Sequence, residues 1–233
     1  MQKFMKRKNY EVQETNYLEY ILSDYKIFLD VGANEGHYTI LANNIMHDSK
    51  IYSIEANPEL CKNLLAIDFK NKNSIFVQNN ILSSKSENKN FYINKNDNKT
   101  SSIKNIKNSK EVEINTITLN DLTDKDEKTL VKIDIEGGEF DVFFDNNDYL
   151  KNTNIDYLIE LHGSGYNGRF PIDILLIFLR NKFNFFKIGR SFFFSKKTKI
   201  NILKILKHLI VQYFRYLAHK RLSFLVKIYK LLK

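Results

Sequence analysis

The stretch YKIFLDVGANEGHYTILANNIM, residues 25–46, limits the possible folds of this chain more than any other segment. An apolar run ends in Asp30 and a glycine-bearing turn follows. Ile40, Leu41, Ile45 and Met46 then recur at helical spacing, so the segment reads as strand, loop and helix. Gly32 permits a tight turn after the strand and Gly36 a close approach of the helix, which leaves the backbone between them able to meet a ligand. The unit repeats in KIYSIEANPELCKNLLAIDF, where a strand over 50–55 leads to a helix opened by Pro58, a residue suited to a first helical turn.

The remaining chain continues the alternation. A strand is expected at 74–77, and the polar stretch 83–110, rich in Asn, Lys and Ser, reads as loop with one short strand at 90–93. VEINTITL alternates as a half-buried strand. TLVKIDIEGGEFDVFFDN gives a buried strand that enters a helix after the Gly137-Gly138 turn, and IDYLIELH is an apolar strand ending in Glu160 and His162. A helix at 171–181 and aromatic strands at 183–189 and 191–195 close the core. Alternating strands and helices imply an α/β fold, a mainly parallel sheet with helices on both faces. Ligands of such sheets bind beyond the carboxyl ends of the strands. Asp30, Glu55, Asn79, Asp134, Glu160 and His162 all fall at expected strand ends, so one crevice could collect them. The organisation expected is an N-terminal helical segment over 1–24, the α/β domain over 25–196 and a separate tail over 197–233.

Composition sets that tail apart. With 43% hydrophobic and 27% charged residues the chain has material for one core and argues against a membrane-embedded protein. The basic opening MQKFMKRKNYEV leads into no apolar signal region, and no eighteen apolar residues run without a charge, so a cytoplasmic location is expected. The lone Cys61 excludes an internal disulfide and fits a reducing compartment. The net charge of +9 is uneven: the last acid is Asp173, and residues 174–233 carry 15 Lys and Arg. In INILKILKHLIVQYFRYLAHKRLSFLVKIYKLL, residues Ile202, Ile205, Leu206, Leu209, Tyr213 and Leu217 share one helical face. A basic helix of this kind, residues 199–233, suits peripheral contact with an anionic membrane. Packing on its own core or on another subunit of a homo-oligomer is the alternative. Nucleic acid is not an expected partner, since no RNA-binding motif appears.

Two places carry candidate chemistry. An acid closing the second strand, here Glu55, commonly accepts hydrogen bonds from the two ribose hydroxyls of a nucleoside. In VKIDIEGGEF three carboxylates, Asp134, Glu136 and Glu139, crowd one Gly-Gly turn, where mutual repulsion is costly without a ligand or a proton. Glu139 also suits the N-terminus of the following helix. Glu160 and His162 lie two apart on a strand and share a face, which allows a base with an orienting acid, or a histidine that merely bonds within a loop. A divalent metal on Asp134, Glu136 and His162 is conceivable, but no HExxH signature supports it and no metal is expected.

DVGANEGHYT, IEANPE, NNILSSK, INTITLNDL, VKIDIEGGEFDVF and IELH occur together and in order, and over Tyr25 to Leu161 the chain resembles the FkbM family. The resemblance implies a Rossmann-like class I methyltransferase fold with a seven-stranded sheet, S-adenosylmethionine as methyl donor, and an acceptor hydroxyl on a saccharide or other small molecule. Carried over by motif, Gly32, Asn34 and Gly36 would line the methionine end, Glu55 would hold the ribose, and Asn79 or Asn80 would sit near the adenine. Asp30 and Ala56 complete the expected cofactor-binding set. Ala56 stands where family members commonly have Pro, and Asn120 where they usually have Asp. The expected catalytic residues are Asp134, His162 and Glu160, with Glu136 and Glu139 on the substrate. His162 or Asp134 would take the acceptor proton during in-line displacement. Two other readings remain, a non-catalytic protein that keeps the fold and an NAD-dependent oxidoreductase, although the turn is GxxxG and lacks GxGxxG.

Overall fold

A computed structural model describes residues 11–69, 73–96, 101–103, 108–144, 148–162 and 169–198, with 210, 213 and 217. In chain order its elements are α1 (Val12–Ile21), β1 (Ile27–Val31), α2 (His37–Ile45), β2 (Lys50–Ile54), α3 (Pro58–Leu65), β3 (Ser74–Gln78), β4 (Ile81–Leu82), β5 (Asn88–Asn94), β6 (Ser109–Ile117), α4 (Leu119–Leu122), β7 (Thr129–Ile133), α5 (Glu139–Phe144), β8 (Ile155–Glu160), α6 (Pro171–Arg180), β9 (Asn184–Ile188) and β10 (Ser191–Ser195). Seven strands form one sheet in the order β3-β2-β1-β7-β8-β10-β9. All neighbours pair in parallel except β10, which runs antiparallel to both β8 and β9. This is the expected α/β architecture of a class I methyltransferase.

The sequence explains the layering. β1 and β7 are buried at every position, as central parallel strands covered on both faces must be. Successive side chains alternate between faces. Leu29 and Val31 of β1 join Phe140, Phe143, Ile174 and Phe178 from α5 and α6, whereas Phe28 joins Leu18, Tyr38, Ala42 and Met46 from α1 and α2. The first face is rich in aromatic edges, with Phe178 lying 5.1 Å from Phe143 and from Phe183 and 5.2 Å from Tyr157. Such pairs add about 0.5–1.5 kcal/mol each beyond their burial.

Several details differ from the reading of the sequence. The buried positions of α2 include Tyr38 and Ala42, with Met46 buried just past its end, while Ile40, Leu41 and Ile45 are only half-buried, because the helix starts at His37 and packs its Tyr38–Ala42 face toward the core residues of α1. Within 83–110 the short strand is seven residues long. It pairs antiparallel with the nine-residue β6, and with β4 these strands form a second sheet, β4-β6-β5. β5 buries only Phe91, so it owes its order to its partner strand and not to its own apolar pattern. The N-terminal segment is helical where described, over α1 and a short turn at Leu22–Asp24. Most of the basic tail lies outside the described residues; Ile210, Tyr213 and Leu217 are helical and exposed. Among the described residues no helix is long and apolar enough to cross a membrane.

Candidate active site

The loop after β1 can close only because its residues accept unusual backbone angles. Gly32 has φ +75°, and a Cβ there would lie 1.9 Å from the Asp134 carbonyl oxygen. Gly36 has φ +82° and packs against Leu64 of α3. Asn34, between them, also has positive φ, which Asn tolerates better than most residues. Its N–H donates to Glu55 Oε2 at 2.8 Å, and the Asn57 N–H donates to Glu55 Oε1 at 2.8 Å. Glu55 thereby joins the loops after β1 and β2. Burial pushes its pKa up, opposed by these two N–H groups. The Asn34 Oδ1 is buried without a hydrogen-bond partner.

These residues border a cavity of about 780 Å³ at the carboxyl ends of the strands. Gly32, Asn34, Glu55, Ala56 and Asn80 line one part, Asp134, Glu136, Glu160 and His162 another, and Phe91 and Ile103 form an apolar wall near the small sheet. Asp30, Gly36, Asn79 and Glu139 do not line it. Asp30 is fully buried; it accepts from the Thr39 hydroxyl at 2.7 Å and lies 3.6 Å from Lys132 Nζ. The Asn79 amide donates to the carbonyls of Glu55 and Ala56 at 2.8 and 2.9 Å and so braces the β2 loop. The Asn80 amide donates to the Asn115 carbonyl at 3.1 Å, tying the cavity to β6.

The carboxylate end is built on the turn after β7. Glu136 (φ +50°) and Gly137 (φ +93°) reverse the chain, and α5 begins at once with Glu139. Glu139 is fully buried, and its Oε1 lies 2.7 Å from His162 Nδ1. The other ring nitrogen faces Asp134 at 3.5 Å, Glu136 at 3.6 Å and Glu160 at 3.9 Å. Burial works to lower the His162 pKa, but the Glu139 hydrogen bond and the charges of Glu139, Asp134 and Glu136 outweigh it and lift the value to about 9. His162 is therefore an imidazolium at neutral pH, which resolves the crowding of acids seen in the sequence. Burial and Asp134 push Glu160 up to about 7, against Arg190 and His162. Asp134, Glu136 and His162 each offer a donor atom within 4.8 Å of the others, as do Glu11, Asp134 and Glu160. The cations these carboxylates face are the side chains of His162, Arg190 and Lys132.

Sequence reasoning missed Lys132, Arg190, Glu11 and the wall of the small sheet. Lys132 has a legible signal, a lysine inside the apolar run TLVKI, and it lies 6% exposed between Asp30 and Asp134. Arg190 and Glu11 carry none, since Arg190 lines the cavity from beyond β9 and Glu11 pairs with it from before α1.

A family model described as the methyltransferase FkbM domain matches residues 30–186. Among solved structures, a SAM dependent methyltransferase from Aquifex aeolicus is 14% identical, with 82% of this chain and 94% of that chain covered and a TM-score of 0.40. An rRNA methylase from Streptococcus thermophilus is 10% identical, with 80% and 95% covered and a TM-score of 0.37. No curated protein matches the sequence.

Proposed function

The chain belongs to the methyltransferase FkbM family, and on that footing we propose that it methylates a hydroxyl of a sugar within a glycan or glycolipid. It is a methyltransferase, and S-adenosylmethionine is its methyl donor. The residues present fit that molecule. Each Glu55 oxygen already holds one backbone N–H and keeps a lone pair for a ribose hydroxyl, and Asn34, whose Oδ1 lacks a partner among the described residues, lines the cavity beside it. When bound, S-adenosylmethionine supplies an electrophilic methyl on a cationic sulfur.

The observation that carries the sugar reading is the group of carboxylates at one end of the cavity. Asp134, Glu136 and Glu160 line it, with Glu139 buried behind. A polyol presents several O–H donors, and ionised acceptors make the stronger hydrogen bonds. The same charges repel a phosphate placed beside the reacting oxygen. In this reading Asp134 orients the acceptor hydroxyl and Glu160 takes its proton. The protonated His162, held by Glu139, favours the ionised form of the neighbouring acids. A carboxylate suffices as base because the hydroxyl becomes strongly acidic as its oxygen gains the methyl. Positioned proton transfer is typically worth about 10²–10⁴ in rate, and alignment of the reactants more.

The test is transfer of labelled methyl from S-adenosylmethionine to a panel of nucleotide sugars, lipid-linked oligosaccharides and RNA. Label recovered on a sugar hydroxyl, reduced by Glu160→Gln, supports the reading. Label recovered only on RNA overturns it.

A further inference from the structure

The carboxylate read above as the proton acceptor is gripped from outside the family motifs. Arg190 stands in the turn between β9 and β10, and its Nη1 lies 3.4 Å from Glu160 Oε1. Its Nη2 forms an ion pair with Glu11, just before α1. Only 6% of the Glu11 side chain is exposed, and it also accepts from the hydroxyl of Tyr38, which lines the cavity. The turn itself is shaped by α1. The Gly189 N–H donates to Gln13 Oε1 at 2.9 Å and the Arg190 N–H to Glu14 Oε1 at 2.5 Å. Gly189 has φ +53°, and a Cβ on it would fall 2.2 Å from both Glu14 carboxylate oxygens. A side chain here would push the Glu14 carboxylate aside, at a backbone angle that favours glycine.

Segments from both sides of the family span thus converge behind one carboxylate. Glu11, Gln13, Glu14 and Arg190 all lie outside the span 30–186 that the family model matches. We propose that Arg190 is a positioning residue of the acceptor site: clamped by Glu11 and Glu14 of the N-terminal segment, its guanidinium fixes the Glu160 carboxylate at the cavity. The segment before β1 is then part of the active site. This inference rests on Glu160 being the proton acceptor.

The charged groups acting on Glu160 come from four elements: Asp134 after β7, His162 after β8, Arg190 from the β9–β10 turn and Glu11 before α1. Removing the arginine leaves two acids opposed by the imidazolium alone, so protonation of Glu160 becomes easier. A neighbouring opposite charge typically moves a carboxyl midpoint by about 1–3 pH units, and the partial exposure of Arg190 argues for the low end.

The experiment is a carbon-13 NMR titration of the Glu160 carboxyl in the full chain, compared with Arg190→Met, Arg190→Lys and Gly189→Ala. We expect a wild-type midpoint near 7, a rise of about one pH unit in Arg190→Met and little change in Arg190→Lys. Gly189→Ala keeps the guanidinium but displaces the Glu14 carboxylate that holds the Arg190 N–H, and the midpoint should rise part of the way. An unmoved midpoint in folded Arg190→Met overturns the proposal while leaving Glu160 as acceptor. Undiminished methyl transfer in folded Glu160→Gln overturns Glu160 as acceptor and the proposal with it.

Discussion

Replacing Glu55 with alanine should weaken S-adenosylmethionine binding by about 3 kcal/mol, roughly 100-fold in Kd. Both carboxylate oxygens already hold one backbone N–H at 2.8 Å, so each has one lone pair left for a ribose hydroxyl. A hydrogen bond to a charged group contributes about 1.5–3 kcal/mol net, and two such bonds set an upper bound near 6 kcal/mol. Water entering the truncated site restores part of that. The alanine also leaves the Asn34 and Asn57 N–H groups without their acceptor, which loosens the loops that frame the cofactor. Glu55→Gln separates the two effects, since its amide keeps one acceptor oxygen and sets an NH₂ against the other N–H; an intermediate loss is expected. Isothermal titration calorimetry with S-adenosylmethionine, and with NAD as control, measures this directly. Burial holds the Glu55 pKa above the ordinary 4.5, so wild-type affinity should fall on acidification sooner than for a free carboxylate, and Glu55→Gln should not show that loss. A change below about threefold in Glu55→Ala, with the fold intact, would refute the assignment.

Gly32→Ala should cost at least about 3 kcal/mol in stability, because an L-residue at positive φ is strained and its Cβ must displace the Asp134 carbonyl; thermal unfolding measures it. Methyl transfer should rise with pH as Glu160 ionises near 7 and decline as His162 loses its proton near 9, a bell visible in a pH–rate profile. His162→Ala should slow transfer while leaving S-adenosylmethionine affinity in place. The folded-state pKa of His162 is raised, so its contribution to stability is complete below about 6.5 and is lost as pH rises through about 9; melting curves of His162→Ala should lack that step. Truncation at Lys199 should abolish flotation with anionic vesicles, the basic tail being the expected membrane contact, and equal flotation of the shortened protein would remove it from that role.

The seven-stranded core was legible because its strands are apolar runs, most of them closed by an acid or a glycine. Gly32, Asn34, Glu55, Asp134 and His162 follow from the same marks, since a parallel sheet gathers its strand ends. The small sheet was not legible, because β5 is polar and gains its order from β6, a pairing across residues 95–108 that no local pattern announces. Glu139 was placed on the substrate from its neighbours in the motif, yet it is buried behind His162, a position set by the first turn of α5. The charge state of His162 was likewise hidden, because it depends on the distances to four acids from two parts of the chain.

The antiparallel strand β10 has a consequence for how the protein is made. It lies between β8 and β9, so β8 gains its second neighbour only once residues 191–195 have been synthesised. The strands proposed to carry the nucleoside site, β1 to β3, are synthesised far earlier. During synthesis the residues proposed to hold the cofactor therefore precede Arg190, and the proposed acceptor end has all its parts only once residues 190–195 have been made.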